Sequence, residues 1–173
     1  LLGLVGSEMC IRDRNTRIQV EHPVTEMITG FDIVKAQIKI ALGINYDLDQ
    51  KLITFKGHSI ECRINAEDPE TFEPCPGQIT RMHTAGGFGI RYDSHIYGGY
   101  NVSPFYDSLL AKIITQANSR KTAIKRMLSA LDEFYVEGIK TNHSLHEKIL
   151  IDEIFIENKH TINYLEKEFL KKK

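Results

Sequence analysis

Four polar side chains recur at every second position near the start of the chain. They are Asn15, Arg17, Gln19 and Glu21, with Thr16, Ile18, Val20 and His22 between them. That period is the period of an extended strand. It predicts one strand over Asn15 to Val24, whose pairing capacity ends at Pro23. Side chains on one face of a strand follow each other at about 6.6–6.8 Å, so the four groups would line a single small pocket. An arginine fork suits a planar oxyanion held bidentately. Gln19 adds a neutral donor, Glu21 is placed to take a proton, and the Asn15 amide oxygen suits a hard cation. Together they describe a pocket for a small oxyacid beside a metal. A strand that is simply wet on one side shows the same alternation, so the pattern alone does not choose.

A second alternating stretch begins after Gly57. Ile60, Cys62, Ile64 and Ala66 fall on one side, and Glu61, Arg63, Asn65 and Glu67 on the other. Arg63 stands on the polar face between Glu61 and Asn65, which could orient it. The plainer alternative is a surface ion pair with Glu61 or Glu67, of little energetic weight. Cys62 is expected as a small core residue and not as a nucleophile. His143 and His146 sit three apart on a predicted helix without convincing third or fourth ligands, so they are expected to be solvated helix residues.

The elements that would position these groups follow from periodicity. A helix is predicted after Asp32 or Thr29 as cap, with Phe31, Val34, Ile38, Ala41 and Leu42 on one stripe and Gly43 as its stop. Three further strands are predicted over 78–83, 89–95 and 109–115, the first two joined as a hairpin through residues 84–87. Ser119 caps an amphipathic helix whose apolar stripe is Ile124, Met127, Leu128, Leu131, Phe134 and Tyr135. Gly138 closes that helix or begins a short strand through Ile139. Thr141 or Asn142 caps the next helix, which carries Leu145, Ile149 and Leu150. A last helix over 161–170 carries Ile162, Leu165 and Phe169. The expected class is α+β, with antiparallel strands and helices packed on one side.

Composition narrows the function classes. The 173 residues carry a net charge of -1, with 42% hydrophobic and 26% charged residues. No basic field recruits nucleic acid, no apolar run approaches a membrane span, and the opening leucines are too short for a signal-peptide core. Three cysteines, Cys10, Cys62 and Cys75, make neither a disulfide framework nor a zinc pattern, which fits a reducing, cytoplasmic setting. Residues 1–14 show no periodicity, and Gly6 to Arg14 resembles translated sequencing-adapter read-through. The native chain is therefore expected to begin near Asn15. Lys171 to Lys173 are expected to form a solvated basic tail.

The run Asn15-Thr16-Arg17-Ile18-Gln19-Val20-Glu21-His22-Pro23-Val24 resembles the signature of biotin carboxylases, members of the ATP-grasp superfamily. Asn15 and Arg17 alone are shared by many ATP-grasp ligases, whereas Gln19-Val20-Glu21-His22-Pro23 is specific. Gly57 to Pro69 is similar to the family's second signature. Pro76 to Thr80, Gly86 to Arg91, Tyr106 to Lys112 and Gly138 to Asn142 agree as well.

The resemblance implies an ATP-grasp end over 15–55 and a biotin carboxylase C-terminal domain over 56–170. It implies a reaction in which ATP and bicarbonate give carboxyphosphate, which releases carbon dioxide to a ureido nitrogen of carrier-bound biotin. By resemblance Glu21 deprotonates bicarbonate, and Arg17, Gln19 and the backbone of Val20 hold it. Arg63 steadies the charge on the biotin ureido oxygen. Asn15 corresponds to a magnesium (or manganese) position, whose companion glutamate is replaced by Asp13. Ile162 matches a contact to the adenine edge, and Phe88 and Arg91 match positions at a homodimer interface.

The implied partners are a biotin carboxyl carrier protein and carboxyltransferase subunits. The implied setting is acetyl-CoA carboxylase and fatty-acid synthesis. Pyruvate, propionyl-CoA and other acyl-CoA carboxylases are the alternatives, and a non-catalytic assembly module is a third. The upstream lysines and glycine-rich lid that grip ATP in the family are missing, so these residues alone are expected to be inactive.

Overall fold

The computed structural model describes residues 15–44 and 49–170. Residues 15–21 form an irregular segment and not a strand, and they lead directly into α1 (His22–Thr29). Pro23 stands in the first turn of α1. Its fixed φ and missing N–H suit a helix start as well as a strand end, and no strand among the described residues pairs with 15–21, so the expected strand over 15–24 does not form. The helix α2 (Ile33–Ala41) is capped by Asp32, whose carboxylate accepts from the Lys35 N–H at 2.7 Å. Its predicted stripe does not meet the core: Val34, Ile38 and Leu42 are 40%, 57% and 70% exposed.

The centre of the fold is a three-stranded antiparallel sheet in the order β1 (His58–Asn65), β6 (Leu109–Ala117), β4 (Ile90–Ser94). Ile60, Cys62 and Ile64 are buried at alternate positions of β1, with Ala66 just beyond. They pack with Ala123, Ile124, Met127, Ala130 and Leu131 of α3 (Arg120–Glu133) in one core cluster. Ser119 caps α3 by accepting from the Thr122 N–H at 3.2 Å. Burial of this stripe supplies most of the driving force, about 1.5–3 kcal/mol per fully buried large side chain.

Two expectations about the sheet are corrected. The helices do not all lie on one side, because α1 packs against β1 and β6 from the face opposite α3. The predicted hairpin does not exist either. β3 (Arg81–His83) pairs with β7 (Tyr135–Glu137), β4 pairs with β6, and β2 (Gly77–Gln78) pairs with β5 (Asn101–Val102). Period two finds extended segments, but partner choice is settled by long-range packing.

The last part of the chain wraps the end of β1. α3 stops at Glu133, so Phe134 and Tyr135 fall outside it, and Gly138 follows β7 at φ 99°. A side chain at position 138 would lie 2.2 Å from the Gln78 carbonyl oxygen, so glycine is needed there. α4 (His143–Ile151) and the short α5 (Glu153–Ile156) follow. The predicted helix over 161–170 is a single π-helical turn at Leu165–Phe169, with Tyr164 buried before it.

Candidate active site

The polar face of the sheet carries a row of charged groups set by strand register. Arg63 on β1 lies opposite Lys112 on β6, and Lys112 lies opposite Asp93 on β4. One pair further along, Glu61 and Arg91 flank Ile114. The segment entering α1 lies over this row. Glu21 Oε2 accepts from Arg63 Nη2 at 2.6 Å, and the Val20 carbonyl accepts from Lys112 Nζ at 3.0 Å. Glu26 of α1 accepts from Arg91 Nη1 at 2.6 Å. Its other carboxylate oxygen accepts from the Ile33 N–H at 2.8 Å, tying α2 to the same point.

Arg91 also grips Asp93 bidentately, with both bonds at 2.8 Å. Burial pushes the Asp93 carboxyl up. The hydrogen bonds from Arg91, with the charges of Arg91, Lys112 and His22, outweigh it, and the net shift is downward. The hydrogen bonds to Asp93, then to Glu26, raise the Arg91 guanidinium in spite of its burial. Both groups are therefore held ionised.

The backbone of Arg63 is fixed from behind by α4. Its carbonyl accepts from Asn142 Nδ2 at 3.1 Å and meets His146 Nε2 at 2.7 Å. Asn142 Oδ1 accepts from the Asn65 N–H at 2.9 Å, so this buried amide uses both ends on β1. Burial lowers the His146 pKa, offset in part by its bond to the Arg63 carbonyl. Glu61 lies with its carboxylate 4.0 Å from Arg63 Nε and its side chain 5% exposed, and neither oxygen has a hydrogen-bond partner among the described residues. Burial drives its pKa from 4.5 to about 7, against the opposing charges of Lys112 and Arg63.

Beside Arg63 opens a cleft of about 790 Å³ lined by Val20, Asn65, Glu67, Asp93 and Lys112 among others. Glu67 Oε1 accepts from Asn65 Nδ2 at 3.0 Å and from the Ser108 hydroxyl, which holds the far wall. A cleft with cations at its base and a carboxylate at its rim can hold a small anion and a second polar ligand next to each other.

The structure therefore brings Glu21, Arg63 and Val20 together, with Lys112 joining them. It does not bring in the rest of the predicted face. Arg17 is exposed and donates from Nη1 to the neighbouring Ile18 carbonyl at 3.0 Å. Gln19 Nε2 reaches the Arg17 carbonyl at 3.5 Å. Neither is bonded to Glu21 or Arg63. Asn15 is exposed, and Asp13 lies outside the described residues. Among the described residues no group of three or more His, Cys, Asp or Glu side chains could hold a metal ion. Asn15 alone does not make a magnesium site.

Ile162 is fully exposed. Phe88 is nearly so, with the Arg126 guanidinium 5.9 Å from its ring centroid. Arg91 is committed to Glu26 and Asp93 and is not a free surface charge. His143 and His146 are only partly solvated. Their ring nitrogens meet the Leu131 and Arg63 carbonyls at 3.2 and 2.7 Å. Sequence reasoning missed Lys112, Asp93, Glu26 and Asn142 as members of the site. For Lys112 the signal was there: a lone cation inside the apolar run Leu109-Leu110-Ala111-Lys112-Ile113-Ile114.

The biotin carboxylase C-terminal domain matches residues 61–167, more than half of the chain, and the chain belongs to that family. The ATP-binding domain of the carbamoyl-phosphate synthase L chain matches residues 2–50, the part that contains Glu21. The biotin carboxylase of Haemophilus influenzae is 57% identical over 94% of this chain, which covers 36% of that protein.

Among solved structures, the biotin carboxylase domain dimer of Hydrogenobacter thermophilus 2-oxoglutarate carboxylase, in complex with MgADP, ADP and bicarbonate, matches with TM-score 0.86. The identity is 52%, over 88% of this chain and 34% of that one. The complete multifunctional pyruvate carboxylase of Rhizobium etli matches with TM-score 0.86 at 41% identity, over 89% of this chain and 15% of that one. The chain spans about a third of the length of the curated relatives it matches. No helix among the described residues is long and apolar enough to cross a membrane.

Proposed function

We propose that the chain supplies the C-terminal part of a biotin carboxylase, the enzyme that uses ATP to join bicarbonate to biotin on a carrier protein. The observation that carries this is the 2.6 Å contact between Glu21 and Arg63, made above a row of charged groups on the sheet. In this proposal residues 15–55 close an ATP-grasp domain and residues 56–170 form the C-terminal domain.

Glu21 takes the proton of bicarbonate, and Arg17, Gln19 and the Val20 backbone hold the anion. For that, Arg17 swings away from the Ile18 carbonyl it now bonds. Arg63 offers its guanidinium to the biotin ureido oxygen as negative charge builds there, which is where a preorganised cation acts most strongly. Asn15 contributes one oxygen to magnesium or manganese together with groups from elsewhere, and Ile162 adds an apolar contact to the adenine of ATP. Bound metal would neutralise the phosphates of ATP.

The partners in this proposal are the biotin carboxyl carrier protein, carboxyltransferase subunits and a second copy of the full-length protein, met through Phe88 and Arg91, in the cytoplasm. Acetyl-CoA is the acceptor of the carboxyl group, for fatty-acid synthesis. Pyruvate, propionyl-CoA and other acyl-CoA carboxylases share the biotin half-reaction and form the second reading, which the 52% identity to a 2-oxoglutarate carboxylase domain supports as well.

The test is Glu21→Gln in the full-length enzyme that contains this chain. Bicarbonate-dependent ATP turnover should vanish while ATP binding persists, and unchanged turnover would discard Glu21 as the base. A polypeptide of these 173 residues alone should show no bicarbonate-dependent ATPase activity.

A further inference from the structure

Glu21 is asked to do two things that compete. A carboxylate that holds a guanidinium at 2.6 Å and must also meet bicarbonate has to divide its oxygens between the two. As it turns to the anion it loosens its hold on Arg63. Arg63 would then be a half-exposed side chain with four rotatable bonds and no fixed partner, poorly suited to stabilising a ligand charge in one geometry. Its backbone is clamped by Asn142 and His146, but that leaves the guanidinium free.

The geometry points to Glu61 as the second holder of Arg63. We infer that Glu61 is a positioning residue: when Glu21 releases Arg63, a Glu61 oxygen accepts from Arg63 Nε and leaves both terminal nitrogens facing the cleft. Three observations support this. Glu61 is on the same face of β1 two residues before Arg63, and its Oε1 is already 4.0 Å from Arg63 Nε, about 1 Å beyond an ordinary hydrogen bond. Both of its carboxylate oxygens are buried without a hydrogen-bond partner among the described residues, a state that is costly and rare for a carboxylate. The bond that Glu21 makes is to Nη2, so Nε remains for a different acceptor. The other charged groups near Glu61 are Lys112 and Asp93 on the sheet and Glu21 above it. Lys112 is bonded to the Val20 carbonyl and lies 3.7 Å from Asp93, while the cationic nitrogen found within 4.0 Å of the Glu61 carboxylate is Arg63 Nε. Arg63 is thus the nearer donor for Glu61.

The inference rests on the biotin carboxylase proposal for its meaning, but its test separates the two. In the full-length enzyme, Glu61→Gln keeps an acceptor oxygen of the same size, and Glu61→Met keeps the volume without an acceptor. Glu61→Gln should retain turnover within about threefold. Glu61→Met should lower kcat roughly 10- to 100-fold, the scale of a misplaced catalytic group, with KM for bicarbonate unchanged. A role in packing alone would leave both variants active, and a role of charge alone would disable both; either result overturns the inference.

An independent readout needs no activity. In the 173-residue chain carrying Glu21→Gln, the Arg63 Nε–H NMR resonance should move when Glu61→Met is added. A resonance that stays put also overturns the inference. If Glu21→Gln itself leaves turnover intact, the functional proposal fails while this NMR result stands on its own.

Discussion

Glu21 and Arg63 stand 42 positions apart in the chain and meet at 2.6 Å, each about half exposed. An ion pair this wet is worth about 0–1 kcal/mol to folding. Arg63→Ala should therefore leave the urea-unfolding midpoint almost unchanged. The same substitution in the full-length enzyme should remove biotin-dependent turnover. A large loss of stability would mean that the pair is structural.

The Glu26 and Arg91 pair should behave in the opposite way. Glu26 is buried, caps the start of α2 through the Ile33 N–H, and bonds Arg91 at 2.6 Å. Removing Glu26 leaves the Ile33 N–H without its acceptor and Arg91 with Asp93 alone. Glu26→Ala should cost about 1–3 kcal/mol, read from chemical denaturation of this chain. A cost no larger than that of Arg63→Ala would refute the claim that this contact holds α1 and α2 on the sheet.

Glu61 gives stability a pH dependence whose sign is fixed. Its pKa is about 7 folded against 4.5 for the free side chain, so the folded chain holds the extra proton between those values. Stability attributable to this group then falls as pH rises through that window, by at most about 1.4 kcal/mol per pH unit, and levels off above it. Glu61→Gln should lose that slope and be more stable than the parent chain well above pH 7. Parallel stability profiles for the two proteins would refute it.

Asn142 is the buried link between α4 and β1. Asn142→Ala leaves the Asn65 N–H without its acceptor and removes one donor from the Arg63 carbonyl. The expected cost is about 2–3 kcal/mol. Hydrogen exchange should speed up at Asn65 well before it does in the core of β6. Uniform loss of protection would show that the link is not local.

The sequence by itself determined a good part of this protein. The alternation of Ile60, Cys62 and Ile64 and the 3.6-residue stripe of Ile124, Met127 and Leu131 set β1 and α3, because both are buried on one face only. The caps Asp32 and Ser119 were readable for the same local reason, since a side chain three residues from an N–H needs no distant partner. Glu21 and Arg63 were legible as site candidates from residue type and motif.

Only the tertiary structure decided how they meet. The alternation of Asn15, Arg17, Gln19 and Glu21 suggested a shared face, yet without a pairing strand it fixes none, and Pro23 opens a helix instead. Lys112, Glu26 and Asn142 joined the site through cross-strand register and helix docking, in contacts between 65 and 92 positions apart, and Asp93 joined it by pairing with Lys112 across the sheet. Local pattern reports which way a side chain faces relative to its neighbours in sequence. What it faces is set by the packing of the whole chain.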